Sequence, residues 1–336
     1  MIQKKVLVVI LKDDYGDPSR GESYEDIYFH GTLSKLFQEC RLFDFGPYLS
    51  RKDALQGDLL AEAERFRPDV VFFTLYEEQF RFETLDALRR DALTVNWFCD
   101  DQWRFESFSS RYAPHFSWVV TTDRFAVDKY RDRGLENVIL SQWATGEVGP
   151  EVEVGQEGYA FDVSFVGGIN PFRKWMVGEL ARRGIEVACF GTGWPRGRVS
   201  YARMQEIFRT SKVNLNLSNS RSFDLRFAFA SLGNLLHVRG TPKDKEQIKG
   251  RHFEVGAWGG FQLTNYVEFL EDYFEIGKEI AVFGSLDDLP DKIRFYLRNE
   301  DQRRAIAAAG HRRIRSEHTY GHRFREVFGR MGLADR

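Results

Sequence analysis

The chain has 336 residues, enough for two domains of ordinary size rather than one sealed core. Hydrophobic residues make up 43% and charged residues 29%, which excludes a disordered or collagen-like chain. Lysine and arginine number 48 against 50 acids, so the formal charge of -2 gives no reason to expect binding to a nucleic-acid backbone, and it leaves room only for a local anion site.

The first apolar run, 6–11, follows Lys4 and Lys5 but stops at Lys12, Asp13 and Asp14. It is too short for a signal peptide, and no run approaches the roughly 20 apolar residues of a membrane span. Peripheral membrane association stays compatible with this. Cys40, Cys99 and Cys189 are far apart and set in apolar segments, so neither a disulfide framework nor a zinc knuckle is implied and a cytoplasmic location is expected. The 30 Phe outnumber Tyr and Trp (13 and 7), which predicts a large aromatic core.

Short β-rich runs alternate with helical patterns, the order expected of parallel sheets with crossover helices. In the first half the strands are expected at 6–11, 69–75, 93–99, 118–122 and 137–141, with helices at 24–40, 53–66, 82–90 and 125–133. Residues 145–158 carry four glycines and one proline and read as a linker. A second series follows, with strands at 162–166, 186–190, 213–217, 261–263 and 279–283 and helices at 173–183, 201–209, 252–258, 286–297 and 301–317. A last amphipathic stretch, 320–331, has no strand after it and is expected to pack back on the first domain. The expected organisation is an N-terminal domain over 1–150, a C-terminal domain over 151–318 and a returning helix over 319–336. Two doubly wound α/β domains of this kind are expected to face each other across a cleft and to bind ligands beyond the carboxyl ends of their strands.

Several chemistries are excluded by what the sequence lacks. Lys12-Asp13-Asp14-Tyr15-Gly16 stands where a dinucleotide fingerprint would follow the first strand, and there is no Walker A motif. No Asp-x-Asp pair occurs, so a metal-diphosphate clamp is not expected. His318 and His322 lack the glutamate of a zinc protease, and no Gly-x-Ser-x-Gly elbow is present.

What is present gathers in the second half. Gly167 and Gly168 end the 162–166 strand, and Arg173 and Lys174 open the next helix. Backbone glycines, helix N–H groups and two cations at that place suit a phosphate, although an ordinary βα turn with a solvated Arg-Lys pair reads equally well. Gly191, Thr192, Gly193 and Trp194 end the next strand, either as a cleft lining or as a tight turn with a packing tryptophan. The third strand ends in polar residues, Asn214, Asn216, Ser218, Asn219 and Ser220, which need partners from a ligand or a neighbouring loop. The densest pattern runs from Lys249 to Thr264. There Arg251 and the free N–H groups of a helix start can hold a diphosphate, with His252 and Phe253 beside them, and Glu254 can accept two hydrogen bonds from a vicinal diol such as ribose. Glu254 also suits the helix dipole, which is the structural alternative.

Gly250-Arg-His-Phe-Glu-Val-Gly-Ala-Trp-Gly-Gly-Phe-Gln-Leu-Thr-Asn, followed by Leu270-Glu-Asp-Tyr-Phe-Glu-Ile-Gly-Lys-Glu-Ile, Ala307-Ala-Ala-Gly-His and Glu317-His-Thr-Tyr, resembles the CgeB-like, spore-maturation-protein-type glycosyltransferases over about 162–323. The first half resembles the same group more weakly through Asn96-Trp-Phe-Cys-Asp-Asp101 and Thr121-Thr-Asp123. The resemblance implies a two-domain GT-B fold, a nucleoside-diphosphate-sugar donor held mainly by the second domain, acceptor contacts from the first and no resident cofactor, as in polysaccharide biosynthesis. Related retaining family-4 transferases carry two glutamates, the second touching the donor ribose, and Glu254 matches that second position. Glu246 stands at the other end of Glu246-Gln-Ile-Lys-Gly-Arg-His-Phe-Glu254, where Lys-Gly-Arg differs from the family pattern. Trp258 replaces the usual cysteine, which reads as a packing change.

Arg173, Lys174 and Arg251 are therefore the expected stabilisers of the leaving diphosphate. A retaining reaction needs no strong protein base, whereas inversion needs one from the first domain, for which Asp100, Asp101 or His30 are available types. A nucleotide-sugar epimerase and a non-catalytic nucleotide-sugar sensor are the rival readings. The nucleobase, the sugar and the acceptor have no readable code.

Overall fold

The structure, a computed structural model, describes residues 1–150, 158–218, 224–241, 243 and 245–333. The chain divides into two compact units, Met1–Gln142 with Tyr320–Arg336, and Trp143–Thr319. The first unit carries six parallel strands: β1 (Ile2–Ile10), β2 (Phe37–Asp44), β3 (Val70–Phe73), β4 (Leu93–Phe98), β5 (Trp118–Thr121) and β6 (Val138–Leu140). They lie in the order β2-β1-β3-β4-β5-β6. The second unit carries β7 (Phe161–Val166), β8 (Ala188–Phe190), β9 (Ser211–Asn216), β10 (Gln262–Asn265) and β11 (Ala281–Phe283), also all parallel, in the order β11-β10-β9-β7-β8. In each sheet the first strand lies between the second and the third, so the connections leave in opposite directions and open a crevice at the carboxyl ends of β1 and β3, and of β7 and β9.

The inner strands β1 and β3 are buried on two faces, which is why they are near-continuous apolar runs. Val6 to Ile10 and Val70 to Phe73 are completely buried. The first core also receives the terminal helix Tyr320–Arg330, whose Tyr320, Phe324 and Phe328 are fully buried. Phe29 packs 4.8 Å from Tyr320 and 5.6 Å from Phe324, Trp97 lies 5.7 Å from Phe324, and Phe37 lies 4.9 Å from Phe328.

Two expectations need correction. The helix expected over 24–40 ends at Leu36, and Phe37–Asp44 forms strand β2. Helical spacing of apolar residues does continue to Cys40, but pairing Ile2 to Ile10 of β1 with Phe37 to Asp44 satisfies backbone groups that would otherwise lie on an open edge. The stretch after β9, for which the sequence predicts no element, forms two short helices, Leu225–Phe229 and Leu232–Gly240. Of the linker, residues 151–157 lie outside the described residues. Its start, at Thr145 and Gly149, belongs to the second unit: Thr145 N–H donates to the His318 carbonyl (3.3 Å) and Gly149 N–H to that of Ala257 (2.9 Å). Trp258 lies so close over Gly149 that a Cβ there would stand 2.6 Å from the indole ring, which is the packing role of this tryptophan.

Candidate functional site

The carboxyl ends of β7 and β9 bring most of the expected donor-side residues together within the second unit. After β7, Gly167 and Gly168 run beside the turn after β8. Gly167 N–H donates to the Phe190 carbonyl (2.8 Å), Ile169 N–H to that of Thr192 (2.9 Å), and Trp194 Nε1 to that of Gly167 (2.9 Å). Gly191 has φ +128°, and a Cβ on it would run into the Gly167 carbonyl, as one on Gly193 would run into Ile169. These glycines and Trp194 are explained by the interlocking of two turns.

Asn170 starts the helix Pro171–Arg182, with its side chain accepting from Arg173 N–H at 2.8 Å and Pro171 in the first turn, where its missing N–H costs nothing. This cap fixes Arg173 over the crevice. Its guanidinium donates through Nε to the Leu217 carbonyl (2.8 Å) and through Nη1 to the Gly168 carbonyl (2.8 Å), bridging the ends of β9 and β7. No carboxylate among the described residues pairs with it. Burial, and then the nearby Arg251 charge, push Arg173 down to about 10. Lys174, one residue on, is exposed.

Arg251 opens the helix Arg251–Ala257. Its Nη1 lies 2.9 Å from Glu254 Oε2 and 2.7 Å from Met204 Sδ, and its guanidinium lies 5.1 Å above the Phe208 ring. The site thus holds two guanidinium groups and one buried carboxylate. The helix start does not supply free donors as expected, because His252 N–H is bonded to Lys249 O and the Phe253 and Glu254 N–H groups to Gly250 O. His252 and Phe253 are fully buried. His252 Nδ1 accepts from Lys249 N–H at 3.0 Å and its Nε2 faces Thr264 Oγ1 at 3.3 Å, while burial pushes its pKa down to about 4, so it stays neutral and braces the turn that presents Arg251.

At the end of β10, Asn265 takes a part the sequence reading missed. Its Oδ1 accepts from Ser218 N–H (3.0 Å) and Ser218 Oγ (2.8 Å), and its Nδ2 donates to Glu246 Oε2 (2.7 Å). A polar residue closing an otherwise buried strand is the signal that could have found it. Glu246 is thereby placed on the Ser218 side of the crevice. Asn214 is satisfied by the carbonyls of Phe208 and Phe261 and by Ser164, whereas Asn216 Nδ2 is buried without a partner among the described residues. Asn219 and Ser220 lie outside the described residues.

The first-unit candidates separate. Asp101 is completely buried, accepts from Thr121 Oγ1 (2.6 Å) and Tyr130 OH (3.0 Å), and is raised to about 6 mainly by burial, which makes it an internal tie between β5 and the following helix. Asp100 is half-buried, and together with Asp14 it adds to the burial that raises the Glu25 carboxyl. His30 Nδ1 lies 2.8 Å from Asp26 Oδ1, a histidine oriented by a carboxylate and still partly exposed. Among the described residues there is no group of three or more His, Cys, Asp or Glu side chains placed to hold a metal ion.

Comparison with solved structures supplies the deciding observation. The chain is similar along 98% of its length to a sucrose-phosphate synthase from Thermosynechococcus elongatus (TM-score 0.64, 10% identity, 98% of that chain). The fold is that of the GT-B glycosyltransferases. Anabaena HepE in complex with UDP-glucose is similar over 98% of this chain and 100% of that one (TM-score 0.62, 11% identity). A lipopolysaccharide outer core galactosyltransferase, WaaB, is similar over 98% and 99% (TM-score 0.56, 11% identity). In sequence, residues 173–329 match the profile of a family described as glycosyl transferase-like. No curated protein matches the chain in sequence. No helix among the described residues is long and apolar enough to cross a membrane.

Proposed function

We propose that the protein is a metal-independent, retaining glycosyltransferase of the CgeB-like group, which takes a hexosyl unit from a nucleoside-diphosphate sugar bound at the carboxyl ends of β7 and β9. The observation that carries this reading is Arg173. It is a largely desolvated cation that spans two strand ends, is bonded only to carbonyl oxygens, and is pressed by a second arginine. A diphosphate would neutralise both guanidinium groups. The likeness to HepE, whose structure holds UDP-glucose, supports a donor of that kind.

In this reading the bond between the anomeric carbon and the donor phosphate oxygen breaks as the acceptor oxygen bonds to the same carbon, and the acceptor proton passes to the departing phosphate. Negative charge grows on the diphosphate, so Arg173 and Arg251, with Lys174 at the rim, stabilise the transition state more than the ground state. Glu254 holds Arg251 in the unliganded protein and accepts from the ribose hydroxyls when donor is bound. Glu246, through Asn265 and Ser218, sets the wall opposite. Inversion is a second reading, favoured by the His30–Asp26 pair, which has the geometry of a base and its orienting carboxylate.

The test is calorimetric titration with nucleoside diphosphates, UDP among them, in the presence and absence of EDTA, followed by product analysis with the corresponding sugar nucleotide. Binding that persists in EDTA, and transfer with the anomeric configuration kept, support the proposal. Binding that EDTA abolishes and magnesium restores would remove the arginines from their assigned role. Sugar isomerised without transfer identifies an epimerase, and binding without turnover identifies a sensor.

A further inference from the structure

The first unit has a crevice of its own, at the carboxyl ends of β1 and β3, where residues 11–23 leave β1 and residues 74–81 leave β3. Tyr15, with φ 56°, stands there in the left-handed region that a bulky residue rarely adopts. Its loop is tied down by Asp14 N–H to the Gly21 carbonyl (2.9 Å) and by Ser23 N–H to that of Lys12 (2.7 Å). The Tyr15 side chain is nevertheless 57% exposed, with its ring 5.8 Å from that of Tyr76 on the β3 side. A fixed and strained backbone thus holds an aromatic ring out to solvent instead of burying it.

Acids gather at the same end of the sheet. Burial raises the Glu25 carboxyl, and the charges of Asp14 and Asp100 raise it further; both charges also reach the Tyr15 phenol. The nearby cations have partners: Arg20 lies 4.6 Å over the Tyr15 ring and 2.9 Å from Asp14 Oδ2, and Arg104 donates to the Tyr76 carbonyl (2.9 Å). An independent observation comes from Thr74, which is 6% exposed and whose Oγ1 has no partner among the described residues. Thr74 shares a strand face with Phe72, whose ring lies 5.8 Å from Phe29, so its hydroxyl points to the side on which Glu25 opens the turn carrying Phe29. A buried hydroxyl of this kind calls for a partner from outside the fold.

These groups select among ligands. The carboxylates repel a phosphate or an acidic sugar, Arg20 already places a cation on Tyr15, and no group among the described residues is placed to hold a metal ion. A pyranose fits what is left: its weakly positive C–H face suits an aromatic ring, and its hydroxyls suit carboxylates and a free hydroxyl. We propose that the crevice between β1 and β3 binds an uncharged saccharide, one ring of which packs on Tyr15 while its hydroxyls bond to Glu25, Asp100 and Thr74. Resting on the glycosyltransferase reading, this makes the acceptor a neutral glycan and not a phosphorylated or acidic one.

The test is saturation-transfer NMR on the full chain with maltose, lactose and cellobiose, against glucose 6-phosphate and glucuronic acid as anionic probes and spermidine as a cationic one, with UDP titrated into the same preparation. Transfer to at least one disaccharide and to none of the charged probes is expected. Tyr15→Gly removes the ring and relieves the backbone, and Thr74→Val keeps the shape without the hydroxyl. Each should weaken disaccharide binding at least about tenfold, with UDP binding unchanged and thermal unfolding no lower. The proposal is overturned if no disaccharide binds, if a charged probe binds better, or if both variants bind disaccharide as the unaltered protein does. A protein that binds disaccharide through Tyr15 and no nucleoside diphosphate refutes the donor reading and leaves the saccharide site standing, so the two failures are told apart.

Discussion

Replacing Arg173 with methionine distinguishes a ligand-facing cation from a structural brace. Methionine keeps much of the side-chain volume and adapts to irregular packing while removing the charge. In the unliganded protein two effects oppose each other. A guanidinium held down to about 10 carries its charge at a cost on the order of 3 kcal/mol, which the substitution removes. Against that, the carbonyls of Leu217 and Gly168 lose their donors, at about 1–3 kcal/mol each where water does not replace them. The stability change in Arg173→Met is therefore small, within about 3 kcal/mol of zero. Binding has no such cancellation, because each charge-assisted hydrogen bond to a phosphate is worth about 1.5–3 kcal/mol, so UDP affinity should fall roughly 100-fold or more. Thermal unfolding and calorimetric titration of the same preparation decide the matter. A well-folded Arg173→Met protein that binds UDP as before would refute the assignment.

Glu254→Gln keeps the shape beside Arg251 but loses the carboxylate, so UDP should bind roughly 100-fold more weakly than to the unaltered protein, with little further loss for the 2′,3′-dideoxy analogue; an equal fold-loss for both ligands would limit Glu254 to holding Arg251. Asp101, with its folded pKa raised to about 6, contributes stability that is fully present below about pH 4 and lost as pH rises through 6, on the order of 3 kcal/mol. Asp101→Asn should flatten that pH dependence between 4 and 7 in thermal unfolding of the first unit. Gly191→Ala, at φ +128° and against the Gly167 carbonyl, should destabilise the second unit by more than about 3 kcal/mol and abolish UDP binding with it, read by the same two methods.

The alternation of apolar runs and helical patterns made both sheets legible, since parallel strands buried on two faces carry that signal strongly. Phe37–Asp44 was hidden because its apolar residues also fit a helix, and only the partner strand Ile2–Ile10 decides between the two. Arg173 and Arg251 stood out by type and place. What the sequence could not reveal is that Gly191, Gly193 and Trp194 spend their chemistry on a neighbouring turn, that the amides at the start of Arg251–Ala257 are already bonded, and that Asn265 connects Ser218 with Glu246. Each of these depends on a contact between residues 19 to 47 positions apart or on a turn whose hydrogen bonds have no composition of their own.

The helix Tyr320–Arg330 completes the first core although it is made after the whole of the second unit. During synthesis, the faces of Phe29, Phe72 and Trp97 that Tyr320 and Phe324 cover stay unfilled until residues 320–330 emerge, while the second unit already has every strand of its sheet. The first core therefore cannot close before the chain of the second unit has been made, so part of its aromatic surface stays open for most of synthesis. A nonsense codon just before Tyr320 would accordingly ruin the N-terminal unit and spare the one beside it in sequence.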